Sequence, residues 1–174
     1  RLLRKWDPIH AENVADHAGK IAEKMGLEPY LQELVKKAAL VHDIGKITIP
    51  SKILNKDASL TQKELEQIKR HPESGYQILR SVDEYASVAM IVLSHHEWVD
   101  GSGYPEKLKG EDIPLASRII AVADSYDAMT SGRIYTDCKT KEEAIQELRA
   151  CAGSQFDPEV VSVFIEKVLP YGKY

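Results

Sequence analysis

The chain has 174 residues, which suits one domain with a sizeable core. Hydrophobic residues make up 43% and charged residues 29%, an ordinary globular balance that argues against disorder. A net charge of −4 argues against a general nucleic-acid coat, and the two separated cysteines, Cys138 and Cys151, exclude a disulfide framework and favour a reduced compartment.

No apolar run approaches the roughly 18 residues needed to span a bilayer. The opening stretch around Arg1, Arg4 and Lys5 lacks the apolar centre of a signal peptide. The chain does not start with Met, so a piece of a longer protein is expected.

The hydrophobic pattern is helical nearly throughout. Val14, Ala18, Ile21 and Met25 mark one face of a first helix, and Gly26 stands where its C-terminal cap falls. A second helix is expected from Pro29 through Val35, Ala38 and Val41 to His42, ended by Gly45. Lys46 to Ser59 reads as a loop. Thr61 and Glu64 form a capping-box pattern that opens a helix toward His71. Pro72 suits the first turn of the next helix, with Ile78, Leu79 and Val82.

A further helix is expected from about Glu84 to His96. Asp100 to Pro114, with three glycines and two prolines, reads as a long structured loop and a functional candidate. Helices follow from Leu115 to Thr130, after the Thr140–Glu143 pair, and from Asp157–Pro158, an N-cap and first-turn proline. Sustained period-two alternation is missing. The expected fold is all-α, a single-domain bundle over 1–174.

The six histidines have unusual company. His42-Asp43 closes an apolar helix, and His95-His96 follows another apolar stretch. Neighbours on a helix point about 100° apart, so such pairs share a cluster only at a helix end. Imidazole and carboxylate together suit a divalent ion, although a helix-end His with a capping Asp is the plainer alternative. Asp124 follows five apolar residues and needs a buried cation or donor nearby, with Arg118 the ordinary candidate. Asp127 lies three residues on, placed to orient a ligand. His17 sits on the apolar face of the first helix, where a core histidine is the plainer reading. His71 is aimed by Pro72. His10 falls in a polar lead-in and has no assignment.

With these motifs in order, the sequence resembles the HD-GYP family, a branch of the HD-domain metal-dependent phosphohydrolases. The resemblance runs from about His17 to Pro158. It is carried by Ala38 through Lys46, His71-Pro72, His95-His96-Glu97, Asp100-Gly101-Ser102-Gly103-Tyr104-Pro105, Ile113 through Ile119, Asp124 through Ala128, and Gln155-Phe156-Asp157-Pro158.

It implies a helical bundle around two divalent ions, iron or manganese, and hydrolysis of cyclic di-GMP to pGpG and on to GMP by a metal-activated hydroxide. One ion would take His17, His42, Asp43 and Asp124. The other would take His71, His95 and His96, with Asp43 bridging. Asn13 stands where three-metal members carry Glu, so no third ion is expected. Lys46 and Arg133 are implied as phosphate contacts, Lys46 and Asp43 as catalytic groups, and Tyr104 as shaping substrate access.

Two positions depart from the family pattern. Trp98 and Thr136 stand where basic residues are frequent. They support an alternative reading, a catalytically weak nucleotide-sensing module. A hydrolase acting on another nucleotide is a third reading. The resemblance further implies a bacterial cytoplasmic protein with an N-terminal regulatory region, partners met through the Gly-Tyr-Pro loop, a homodimer, and no nucleic-acid polymer.

Overall fold

The structure, a computed structural model, describes residues 7–131 and 138–172. Helix α1, Pro8–Lys24, starts at Asp7, whose side chain accepts from the His10 amide at 3.1 Å. Such a cap stabilises a helix start by about 1 kcal/mol. Helix α2, Pro29–Val41, lays Val35, Ala38 and Ala39 against α1, and these small residues let the two axes approach.

The chain then makes a 3₁₀ turn, Ile44–Thr48, and a short helix α3, Ser51–Leu54. The second, and the first from Lys46 on, fall in the stretch expected to be a loop. Ile49, Ile53 and Leu54 drive them, because they bury with Leu60 and Ile68 in a small satellite core. Helix α4, Gln62–Ile68, opens on the complete Thr61–Glu64 capping box. Helix α5, His71–Arg80, packs against the Ile44–Thr48 turn.

The helix expected over Glu84–His96 is broken. Asp83–Val88 is 3₁₀, and only α6, Ala89–Leu93, is α-helical. Apolar periodicity does not separate three-residue from four-residue hydrogen bonding over so short a run. Helix α7, Leu115–Thr130, is the central element, with Ile119, Ile120, Val122 and Ala123 fully buried. Helix α8, Lys141–Ala150, has its own capping box from Thr140 and Glu143.

Helix α9, Pro158–Val163, is capped by Asp157 and continues through a π turn, Phe164–Val168. The same Asp157 carboxylate receives the Arg118 guanidinium at 2.7 Å, so Arg118 is committed there and not to Asp124. Among the described residues the only β pairings are single bridges, Asp100 with Lys109 and Ala152 with Phe156. The all-α expectation holds. The start of α1, the ends of α2 and α6, the first residue of α5 and the middle of α7 converge on one point.

Candidate metal centre

Two groups of ligand-type side chains meet at that point. His10, His42, Asp43 and Asp124 form one, and His71, His95 and His96 the other. Asp43 stands between them. Its Oδ1 is 3.4 Å from His71 Nε2 and 4.0 Å from His95 Nε2. Its Oδ2 is 3.3 Å from His42 Nε2 and 3.9 Å from His10 Nε2. Each oxygen of one carboxylate therefore faces a different histidine set.

The rings are keyed by hydrogen bonds on their far nitrogens. His42 Nδ1 donates to the Ala39 carbonyl at 2.6 Å, His71 Nδ1 to Ile68 at 2.8 Å and His95 Nδ1 to Val92 at 2.5 Å. In each case the acceptor lies three residues back, which is the geometry of a helix end or a turn. This aims Nε2 into the centre. The Nε2 atoms of His42, His71 and His95 are buried and make no hydrogen bond. Three buried ring nitrogens without hydrogen bonds are expensive unless something that binds them sits among them. That is the observation by which these residues fit divalent ions.

Electrostatics agrees. Burial opposes charge on His42, but Asp43 and Asp124 outweigh it and push its pKa up to about 10. The position calls for a positive charge, and a metal ion satisfies the same demand as a proton. Asp43 and Asp124 are held well below the usual carboxylate range, since the charge of His42 overcomes their own desolvation, with Lys46 adding to the effect on Asp43. At His95 and His96 burial outweighs the nearby carboxylates. His96 is pushed down to about 3, by burial and then by His71, and His95 moves the same way. Neutral imidazoles are the form that binds metal.

Sequence reading expected His17 in the first group, and the structure does not bring it there. His17 lies against Tyr126 and Phe164, with ring centroids 5.5 and 5.4 Å away. It lines a separate cavity of about 380 Å³. His10 takes the expected place: its Nε2 is 2.7 Å from Asp124 Oδ1 and its Nδ1 is 2.6 Å from Asp127 Oδ2. The two residues are seven apart, nearly two full turns, so they share a face of α1. Periodicity could not separate them. The Asp7-Pro8 helix start could have, because it puts His10 in the first turn, and the other candidate histidines also sit near helix ends.

Asn13 Nδ2 donates to Asp127 Oδ1 at 3.0 Å and supports the same carboxylate. Counting back four residues from His10 reaches Trp6, outside the described residues. Lys46 Nζ is 3.4 Å from Asp43 Oδ2, at the mouth of the centre. Arg133 and Thr136 lie outside the described residues.

Tyr104 stacks on His96, with centroids 5.1 Å apart and planes 13° apart. Burial pushes its phenol up to about 12, so it stays a neutral donor. Glu97 was missed as a functional residue. It is 3% exposed, and its carboxylate accepts from the amides of Glu106 at 2.7 Å and Leu108 at 2.8 Å. It thereby clamps the Gly-Tyr-Pro loop under His96. A cleft of about 80 Å³ opens beside the centre, lined by His95, His96, Trp98, Ala121, Asp124 and Gln155 among others.

An all-helical bundle that gathers seven ligand-type side chains, six of them at or near helix ends, defines a class. The chain belongs to the HD domain family, whose profile matches residues 5–160. It is 45% identical over 159 residues to a protein of Thermotoga maritima named cyclic di-GMP phosphodiesterase, covering 90% of this chain and 43% of that one. It is 44% identical to the cyclic di-GMP phosphodiesterase response regulator RpfG of Xanthomonas campestris, covering 88% and 41%. It is 40% identical to 3'3'-cGAMP-specific phosphodiesterase 2 of Vibrio cholerae, covering 90% and 30%. The chain thus spans less than half the length of these relatives.

The fold matches Bd1817, an HD-GYP-type protein of Bdellovibrio bacteriovorus, with a TM-score of 0.72 at 23% identity, over 92% of this chain and 51% of that one. No helix among the described residues is long and apolar enough to cross a membrane.

Proposed function

We propose that this domain is a metal-dependent phosphodiesterase that opens cyclic di-GMP to pGpG, with GMP as a further product. The observation that carries the reading is Asp43, whose two oxygens address two histidine sets. The names of the relatives supply the substrate class.

His10, His42, Asp43 and Asp124 would hold one divalent ion, iron or manganese. His71, His95 and His96 would hold the other, with Asp43 shared. When bound, such a pair supplies a nucleophile at neutral pH and offsets phosphate charge. The chain's own groups do the rest. Asp127 holds the His10 ring by its Nδ1. Lys46, beside Asp43, meets a substrate phosphate or protonates the leaving oxygen. Tyr104 backs His96 and fixes its plane. The phosphate contact proposed for Arg133 falls outside the described residues. The setting proposed is the bacterial cytoplasm, and partner contacts through the Gly-Tyr-Pro loop and a homodimer belong to the same reading.

Protein loaded with manganese or iron is expected to convert cyclic di-GMP, followed by chromatography of the products. His42→Ala and Asp43→Ala should each abolish conversion. Two ions per chain with no conversion would overturn the proposal.

A further inference from the structure

Trp98 stands on the rim of the cleft that leads to the candidate centre, and its side chain remains accessible, at 37% exposure. The cleft itself, about 80 Å³, has room for a phosphate but not for a purine nucleoside. A dinucleotide whose phosphate enters there must leave its base on the rim. Trp98 lines the cleft, and Tyr104 stacks on another lining residue, His96. Tyr104 is already engaged, stacked on His96 and with Lys69 Nζ 5.5 Å from its centroid. Trp98 stacks on no ring and carries no cation among the described residues.

Its main chain is fixed. Gly101 N donates to the Trp98 carbonyl at 2.9 Å, and Val99 N to the Gln155 carbonyl at 3.3 Å. Gly103 presses so close that a Cβ there would sit 2.3 Å from Trp98 N. The indole is thus an aromatic surface on a rigid mount, which lowers the entropy lost when a flat ligand lies on it.

We infer that Trp98 is a base-stacking, specificity-determining residue: a purine of the substrate lies against the indole while the phosphate occupies the cleft. This rests on the phosphodiesterase reading. It also gives Trp98 a positive role. An indole binds a base through its π face, where a lysine or arginine would bind a phosphate through charge.

The test uses metal-loaded protein carrying Trp6→Phe, so that Trp98 is the one remaining tryptophan. Cyclic di-GMP should quench its fluorescence saturably. Trp98→Leu keeps bulk without a π face and should raise KM about tenfold with kcat changed less than twofold. Trp98→Phe should restore most of the affinity, which loss of packing alone would not predict. Trp98→Lys should bind with a steeper salt dependence than the parent.

Turnover with an unchanged KM in Trp98→Leu overturns the inference and leaves the phosphodiesterase reading standing. Saturable quenching without turnover does the reverse. Equal KM losses in the Phe and Leu variants also overturn it, since both then report packing.

Discussion

The histidines of α1 separate two roles that helical spacing alone merges. His10 meets carboxylates on both ring nitrogens, whereas His17 packs against Tyr126 and Phe164. His10→Ala should therefore lower bound metal by about one ion per chain, read by elemental analysis, and abolish turnover. His17→Ala should keep the metal and lose stability by about 2 kcal/mol, a buried truncation read as a lower Tm. Asp127→Asn should weaken metal binding about 10–100-fold, because it removes the charge that orients His10 and raises its basicity. Most of the site was legible residue by residue: His42, Asp43, His71, His95, His96 and Asp124 carry motif neighbours. His10 and Glu97 were not, because each works through contacts distant in sequence. Glu97 reaches amides nine and eleven residues on, which no periodicity encodes.

At the level of elements, the centre depends on how closely α5 meets the Ile44–Thr48 turn. A Cβ on Gly45 would lie 1.9 Å from the His71 carbonyl oxygen and 2.7 Å from Gly75 N. Gly45→Ala must push α5 away and carry His71 off Asp43. The expected result is a loss of about 1–3 kcal/mol or more, with metal lost from the three-histidine group, read by denaturant unfolding and elemental analysis. Gly45 is expected as a helix stop, but α2 already ends at Val41, and Gly45 lies inside the Ile44–Thr48 turn, where the crossing of α5 leaves no room for a side chain. The long helices α1, α2 and α7 were legible because their apolar stripes run for three turns or more. The short pieces from residue 44 to 54 and from 83 to 93 were not, since a turn or two offers too few positions to fix a period.

For the whole molecule, the buried charges set opposing pH limits on the metal-free fold. His95 and His96 are held neutral when folded and take up protons when unfolded, so stability is lost as pH falls below about 6.5, for His96 toward about 3. His42 is held protonated to about 10, so its contribution is present below about 6.5 and is lost as pH rises from there through about 10. Chelated protein should show its highest Tm between these limits. Metal should raise Tm throughout and flatten the alkaline fall, because the ion replaces the proton that His42 gives up. A thermal series across pH with and without chelator measures both. The three rings of His42, His71 and His95 are steered by carbonyls of the main chain, and that has a consequence for inheritance. A point mutation at Ala39, Ile68 or Val92 replaces a side chain but leaves the carbonyl in place. His10 alone of the four keyed rings leans on a side chain, that of Asp127. Codon changes can therefore retune the ion beside His10 while the neighbouring site resists drift, and related chains should diverge in metal preference first at that end.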